Sequence, residues 1–104
     1  MTNEAFQTIL EGRIDAMRQT LASKAKEYAG PTDRLHNFKR AAQMLATSPA
    51  DACCCFMVKH LVSISDMVIA EKAGGKLDPA LINEKIGDAV NYLVLLEAIL
   101  KETP

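Results

Sequence analysis

Apolar residues recur three and four positions apart through most of the chain, and this period constrains the fold more than any other feature. In the first segment, residues 4–28, the apolar positions are Phe6, Leu10, Ile14, Met17, Leu21, Ala25 and Tyr28. An α-helix has 3.6 residues per turn, so this spacing puts the apolar side chains on one side of a helix. The pattern predicts one long helix over 4–28, ended by Gly30-Pro31.

Capping signals predict three further helices. The second follows Thr32-Asp33 and ends near Thr47, and the third begins at Ser48-Pro49 and closes before Gly74-Gly75. The fourth begins at Asp78-Pro79. Serine or aspartate followed by proline is typical of a helix start, because the side chain accepts a free backbone N–H and proline suits the first helical position.

Each of these helices has an apolar stripe that we expect to face the core. The expected inner residues are Leu35, Phe38, Ala42 and Leu45, then Cys53, Met57, Leu61, Ile64 and Val68, then Ile82, Ile86, Ala89, Leu93, Leu96 and Leu100. With no strand pattern and no second domain, we predict an all-α, four-helix bundle-like single domain over residues 1–104.

Some apolar residues lie off these stripes, namely Phe56 and Val62 on the third helix and Val94 and Leu95 on the fourth. A helix that is apolar all round is buried on more than one side. We therefore expect a homo-oligomer.

Composition narrows the classes of partner and compartment. The formal charge of −1 provides no overall field toward duplex nucleic acid or an anionic membrane surface. No export signal is evident, and we expect no segment to reach the roughly 20 apolar residues of a membrane span.

The cysteines are consecutive, Cys53-Cys54-Cys55, and point about 100° apart on a helix, so they cannot hold one metal ion. We expect them to be small, buried or half-buried apolar residues in a cytoplasmic protein.

The end of the first helix and the loop after it are rich in polar and positively charged side chains. The candidate ligand-binding residues there are Lys24, Glu27, Tyr28, Arg34 and Asn37. Arginine offers a planar fork for phosphate oxygens, lysine a mobile charge, and a tyrosine ring can stack on a base. The alternative is a turn whose charges are simply solvated.

On the third helix Lys59, Ser63 and Asp66 form one column away from the apolar stripe, so Lys59 and Ser63 are ligand-binding candidates. The alternative is a solvated outer face. His60, at the edge of the stripe, is expected to be packed and to have a secondary role.

A second column on the fourth helix holds Glu84, Asp88 and Asn91, with Tyr92 beside it. Two carboxylates four positions apart repel each other unless a cation lies between them, so Glu84 and Asp88 form a candidate magnesium site. The alternative is that Lys85 and solvent neutralise them. We add Asn91 and Tyr92 to the ligand-binding candidates and assign no catalytic residue, since phosphate-loop, nucleophile and recognition-helix motifs are missing.

Four segments carry a resemblance to known proteins: KAKEY at 24–28, DRLHNFK at 33–39, KHLVSI at 59–64 and EKIGDAVNY at 84–92. In these segments the chain resembles small phage-encoded all-α proteins near the nucleotide-modification-associated and MazG-like pyrophosphohydrolase groups. The resemblance implies a helical fold, an oligomer and a nucleotide-like ligand.

The chain departs from the MazG-like pattern in its acids. Those enzymes hold magnesium with Glu-x-x-Glu on one helix and Glu-x-x-Asp on the next, and neither pair is present here; the candidate acids are Glu27, Asp66, Glu84 and Asp88. We therefore expect a protein that binds a phosphorylated nucleotide without turnover, such as a phage sponge that sequesters a second messenger of host defence. The alternatives are a magnesium-dependent nucleoside triphosphate pyrophosphohydrolase and a structural helical interaction module.

Overall fold

The computed structural model describes residues 1–28 and 33–102, and the side chains of 1–23 and 33–102. Over these residues it contains the helices α1 (Asn3–Tyr28), α2 (His36–Leu45), α3 (Pro49–Lys72) and α4 (Pro79–Glu102), and no strand. The all-α prediction is confirmed, and so are the helix positions, to within a few residues. The predicted stop at Gly30-Pro31 lies outside the described residues.

Local hydrogen bonds explain where α3 and α4 begin. The Ser48 hydroxyl accepts the backbone N–H of Asp51 at 3.1 Å, and Pro49 opens the helix. At α4 the Asp78 carboxylate accepts the N–H of Ala80 at 3.0 Å. Both contacts satisfy N–H groups that have no partner within the helix, as the cap-and-proline pattern predicts.

Helix α3 is central, because it packs against both α2 and α4, while α1 packs on α4. The buried cluster consists of Leu35, Phe38, Cys53 and Ile99, and partly buried residues close around it: Ala50, Tyr92, Leu95 and Leu96. The core is thus a junction of α2, α3 and α4, and α1 covers one side of α4.

Several expected inner positions are wrong. Leu45, Leu61, Val68, Leu93 and Leu100 are each more than half exposed, and Ile82, Phe6 and Leu10 are exposed as well. The buried residues of α3 are instead Ala52, Cys53, Met57 and Met67, and those of α4 are Gly87, Ala89 and Ile99. The physical reason is that both helices are apolar on more than one side, so the period alone does not say which side the neighbours cover.

Two residues that suggested an oligomer contact the core of the same chain, although Phe56 is still 37% exposed. Leu95 packs against the buried cluster, and the ring of Phe56 lies 6.2 Å from that of Phe38. Val62 is 53% exposed, in agreement with its place off the inner stripe.

The three cysteines differ in environment. Cys53 is fully buried and lies with its Sγ 3.7 Å from the Tyr92 carbonyl oxygen, whereas Cys54 and Cys55 are exposed. The expectation of burial is therefore wrong for Cys54 and Cys55. Burial, with a smaller contribution from Cys54, raises the pKa of the Cys53 thiol to about 11, so this thiol is protonated at neutral pH.

Helix α3 is also long and apolar enough to cross a membrane by length and composition, a criterion we expected no segment to meet. Within the described chain, 22% of the most apolar window of this helix is buried.

Candidate functional site

A cavity of about 420 Å³ lies where all four helices approach one another. Side chains from the last described part of α1, the start of α2 and the middle of α3 and α4 line it: Thr20, Leu21, Arg34, Asn37, Phe38, Phe56, Lys59, His60, Asp88, Asn91, Tyr92 and Leu95. This volume is within the range of small-molecule sites, about 300–1,000 Å³.

Five of the ligand-binding candidates line this one cavity, namely Arg34, Asn37, Lys59, Asn91 and Tyr92. They come from three helical segments that are well separated in sequence, and the packing of α2 and α4 on α3 brings them together.

The remaining candidates are elsewhere or are not described. Ser63 does not line the cavity, and its hydroxyl donates to the Lys59 carbonyl at 3.1 Å, within α3. The side chains of Lys24, Glu27 and Tyr28 lie outside the described residues.

Aromatic rings form one wall of the cavity. The rings of Phe38 and Tyr92 are 6.3 Å apart and nearly perpendicular, and the His60 ring is 4.9 Å from that of Tyr92. Phe56 extends the wall through its contact with Phe38. The edge-to-face packing of Phe38 on Tyr92 fixes the orientation of both rings, and the four rings, inclined to one another, make this side of the cavity aromatic.

Arg34 and Lys59 bring two positive charges to the cavity. The Arg34 guanidinium donates from Nη2 to the Leu21 carbonyl at 3.2 Å, which ties the start of α2 to α1. Over the side chains described, neither Arg34 nor Lys59 forms an ion pair with a carboxylate. Among the described side chains, no carboxylate competes with an anionic ligand for these two charges.

Lys39, in the first turn of α2, is a cation that is paired within the fold. Lys39 pairs with Asp33 at 2.7 Å and with Glu102 at 2.5 Å, on the outside of the molecule. The Lys39 hydrogen bond lowers the pKa of Asp33, and the bonds to Asp33 and Glu102 raise the pKa of Lys39. This cation is neutralised within the fold, which distinguishes it from Arg34.

The two acids of the expected magnesium site have different surroundings. Asp88 lines the cavity, with Oδ2 3.5 Å from His60 Nδ1. Glu84 is exposed and lies 3.7 Å from Lys85, as the solvated alternative predicts. No group of three or more potential metal ligands occurs among the described side chains, and the magnesium site stays a prediction.

Asn91 contributes a buried acceptor. Its Oδ1 atom has no hydrogen-bond partner among the side chains and backbone described. An unsatisfied buried polar atom costs about 1–3 kcal/mol, so a donor that reached it would stabilise the site.

Sequence reasoning missed part of this site. His60 received only a secondary role, yet it lines the cavity and faces Asp88. Phe38 and Phe56 were interpreted through burial alone, and their spacing from Tyr92 along the chain gives no signal that the rings share a wall.

The cavity thus combines two cations, an acid–histidine pair, two amide side chains and a wall of rings.

Compared with known proteins, the sequence matches no family model, and no curated protein or solved structure matches it either.

Proposed function

We propose that the cavity binds a phosphorylated small molecule with a planar ring, such as a nucleotide, and holds it without turnover. The observation that carries the proposal is the position of Arg34 and Lys59, without carboxylate partners among the described side chains, beside the rings of Phe38, Phe56 and Tyr92.

The charges of the cavity favour an anion. Arg34 and Lys59 bring two positive charges to the described lining against the single carboxylate of Asp88, so the cations are in excess. Hydrogen bonds between such cations and phosphate are shorter and about twice as strong as neutral ones. Arg34 is already fastened to the Leu21 carbonyl, so less side-chain freedom is lost when it also meets a phosphate.

The rings and amides favour a nucleobase over a bare phosphate. Stacking of a base on an aromatic side chain contributes about 1–3 kcal/mol and tolerates any base. The amides of Asn37 and Asn91 offer both donors and acceptors to the edge of a planar ring. Retention without hydrolysis rests on the sequence, which has neither of the paired acids that metal-dependent pyrophosphohydrolases use. Sequestration of a nucleotide second messenger is the role that we propose on this basis.

The test is calorimetric titration with a panel of mononucleotides, cyclic nucleotides and ADP-ribose-type nucleotides. We expect at least one member to bind, and Lys59→Gln to weaken it about 10- to 100-fold, since a hydrogen bond to a charged group contributes about 1.5–3 kcal/mol. Lys76→Gln is the matched control, because Lys76 is exposed and does not line the cavity. Failure of the whole panel, or equal affinity in the Lys59 variant, would refute the proposal.

Asp88 in the cavity favours a second candidate, the magnesium-dependent nucleoside triphosphate pyrophosphohydrolase. A carboxylate at this position is available to a metal ion bound with a triphosphate. Pyrophosphate release from deoxynucleoside triphosphates with magnesium, abolished by Asp88→Asn, would establish this activity over retention. Native mass spectrometry, which detects a co-purified nucleotide and its intact or cleaved form, separates the two.

A further inference from the structure

Helix α3 presents a mostly apolar stripe to solvent, interrupted by Ser65, on the side away from most of its buried residues. The stripe consists of Val58, Leu61, Val62, Ser65, Val68 and Ile69, and its five apolar side chains are 51–61% exposed. At 100° per residue these positions fall on one side of the helix, opposite the buried Ala52, Cys53 and Met67. The buried Met57 borders this side, one turn before Leu61. We call this set the α3 outer stripe.

None of the outer-stripe residues lines the cavity, so the stripe and the cavity are separate surfaces. Only 22% of the most apolar window of α3 is buried within the chain, less than a core helix shows. An apolar row of this length on a small domain marks an interaction surface.

A charged residue of opposite sign lies at each end of the stripe. Asp51 lies on the same side of α3 at its N-terminal end, and Lys72 lies there at its C-terminal end. Asp51, Val58, Ser65 and Lys72 are spaced by seven residues, which keeps them in one row along the helix. The row therefore runs from an acid through Val58 and Ser65 to a base.

We propose that the outer stripe is the interface of an antiparallel dimer, with α3 of a second copy lying on it. When a second α3 runs in the opposite direction, with the two-fold axis between Leu61 and Val62, the residues of the stripe meet suitable partners. Around that point Asp51 pairs with Lys72 of the second copy, and Val58 lies beside Ser65 of the second copy.

The same antiparallel alignment also brings together apolar residues on either side of the Asp51–Lys72 row. Leu61 and Val62 each lie beside their own counterparts at the two-fold axis, and Cys54 lies beside Val68 of the second copy. Closed two-fold symmetry requires such a self-complementary patch. A parallel pairing would instead put Asp51 against Asp51 and Lys72 against Lys72, so the end charges favour the antiparallel arrangement. This proposal does not depend on the ligand of the cavity.

The first test is the mass in solution by light scattering at about 100 µM protein. We expect twice the 11.3 kDa of one chain for the wild type. The double variant Val58→Asp, Val62→Asp should have the mass of one chain and an unchanged helical circular dichroism spectrum. Leu93→Asp is the control, because Leu93 is equally exposed but lies on α4, and we expect it to remain a dimer. A wild-type monomer would overturn the proposal, as would a monomer that floats with neutral phosphatidylcholine vesicles.

Cysteine cross-linking tests the direction of the pairing independently of these variants. In a Cys54→Ser, Cys55→Ser background, Leu61→Cys should form a disulfide-linked dimer on mild oxidation, because the two copies of position 61 meet at the axis. Val68→Cys in that background should not, since the two copies of position 68 would be about 20 Å apart along the helix axes, beyond the reach of a disulfide.

With Cys54 restored, Val68→Cys should cross-link. The reverse pattern, in which position 68 links to itself and position 61 does not, would refute the antiparallel dimer.

Discussion

Gly87 and Arg13 provide the sharpest test of the packing between α1 and α4. Gly87 is buried within α4, and a Cβ atom there would lie 2.6 Å from Nη1 of Arg13. The same guanidinium donates from Nη2 to the Asn83 carbonyl at 3.2 Å. The absence of a side chain at position 87 therefore gives Arg13 room to lie across α4.

Two effects of similar size oppose each other in Gly87→Ala. Alanine in a helix interior is more favourable than glycine by about 0.8–1 kcal/mol. The new methyl group displaces the guanidinium, which costs its hydrogen bond to Asn83, about 0.5–1.5 kcal/mol. We expect the free energy of unfolding to change by no more than about 0.7 kcal/mol in either direction. With Arg13→Ala already in place, Gly87→Ala should instead stabilise the protein by the full helix-propensity gain of about 1 kcal/mol.

The assay is urea unfolding of the wild type, both single variants and the double variant, followed by circular dichroism at one protein concentration. Gly12→Ala is the matched control, because a Cβ atom at Gly12 meets nothing within 4 Å and should add about 1 kcal/mol in either background. If Gly87→Ala and Arg13→Ala are additive within about 0.3 kcal/mol, Arg13 does not occupy the space beside Gly87 and the reasoning is refuted.

Three further predictions concern local features of α2 and α3. Ala46 has φ 54° and ψ 47° at the end of α2, so Ala46→Gly should raise the free energy of unfolding by about 0.5–1 kcal/mol, measured in urea. Ser48→Ala removes the acceptor for the Asp51 N–H and should lower the free energy of unfolding by about 1 kcal/mol. Ser48→Asp keeps an acceptor and should retain most of that stability. If both variants lose the same stability, the capping role is contradicted. The pKa of Cys53 is raised from 9.0 to about 11, so folding favours the neutral thiol, and the stability from this site is complete below pH 9 and lost as pH rises toward 11. The wild type should therefore lose about 1–2 kcal/mol relative to Cys53→Ala between pH 8 and pH 11, and parallel pH profiles would show that the thiol is not buried.

The helix ends illustrate what could be predicted locally. Ser48-Pro49 and Asp78-Pro79 predict the starts of α3 and α4, because capping depends on atoms within a few residues of one another. The buried sides of those helices could not be predicted in the same way. Met57 and Leu61 have the same apolar character and lie one helical turn apart, yet only Met57 is buried.

In the candidate site, too, some features follow from nearby residues and others depend on how the helices pack. The polar columns of α3 and α4 identified Lys59, Asn91 and Tyr92 individually, since residues three or four apart share a side of a helix. Their convergence with Arg34 depends on how α2 crosses the bundle. The difference between Lys39 and Arg34 is partly of the same kind: Lys39 pairs with the nearby Asp33 and also with Glu102, which is remote in sequence.

The amino-acid sequence by itself determined that this chain is helical and where its helices begin, since both depend on period and capping over short distances. Only the tertiary structure decided which side of α3 is covered, which charges remain without a partner and which rings form one wall. Those outcomes depend on contacts between segments distant in the chain, and helices that are apolar on two sides satisfy the same local pattern in either orientation.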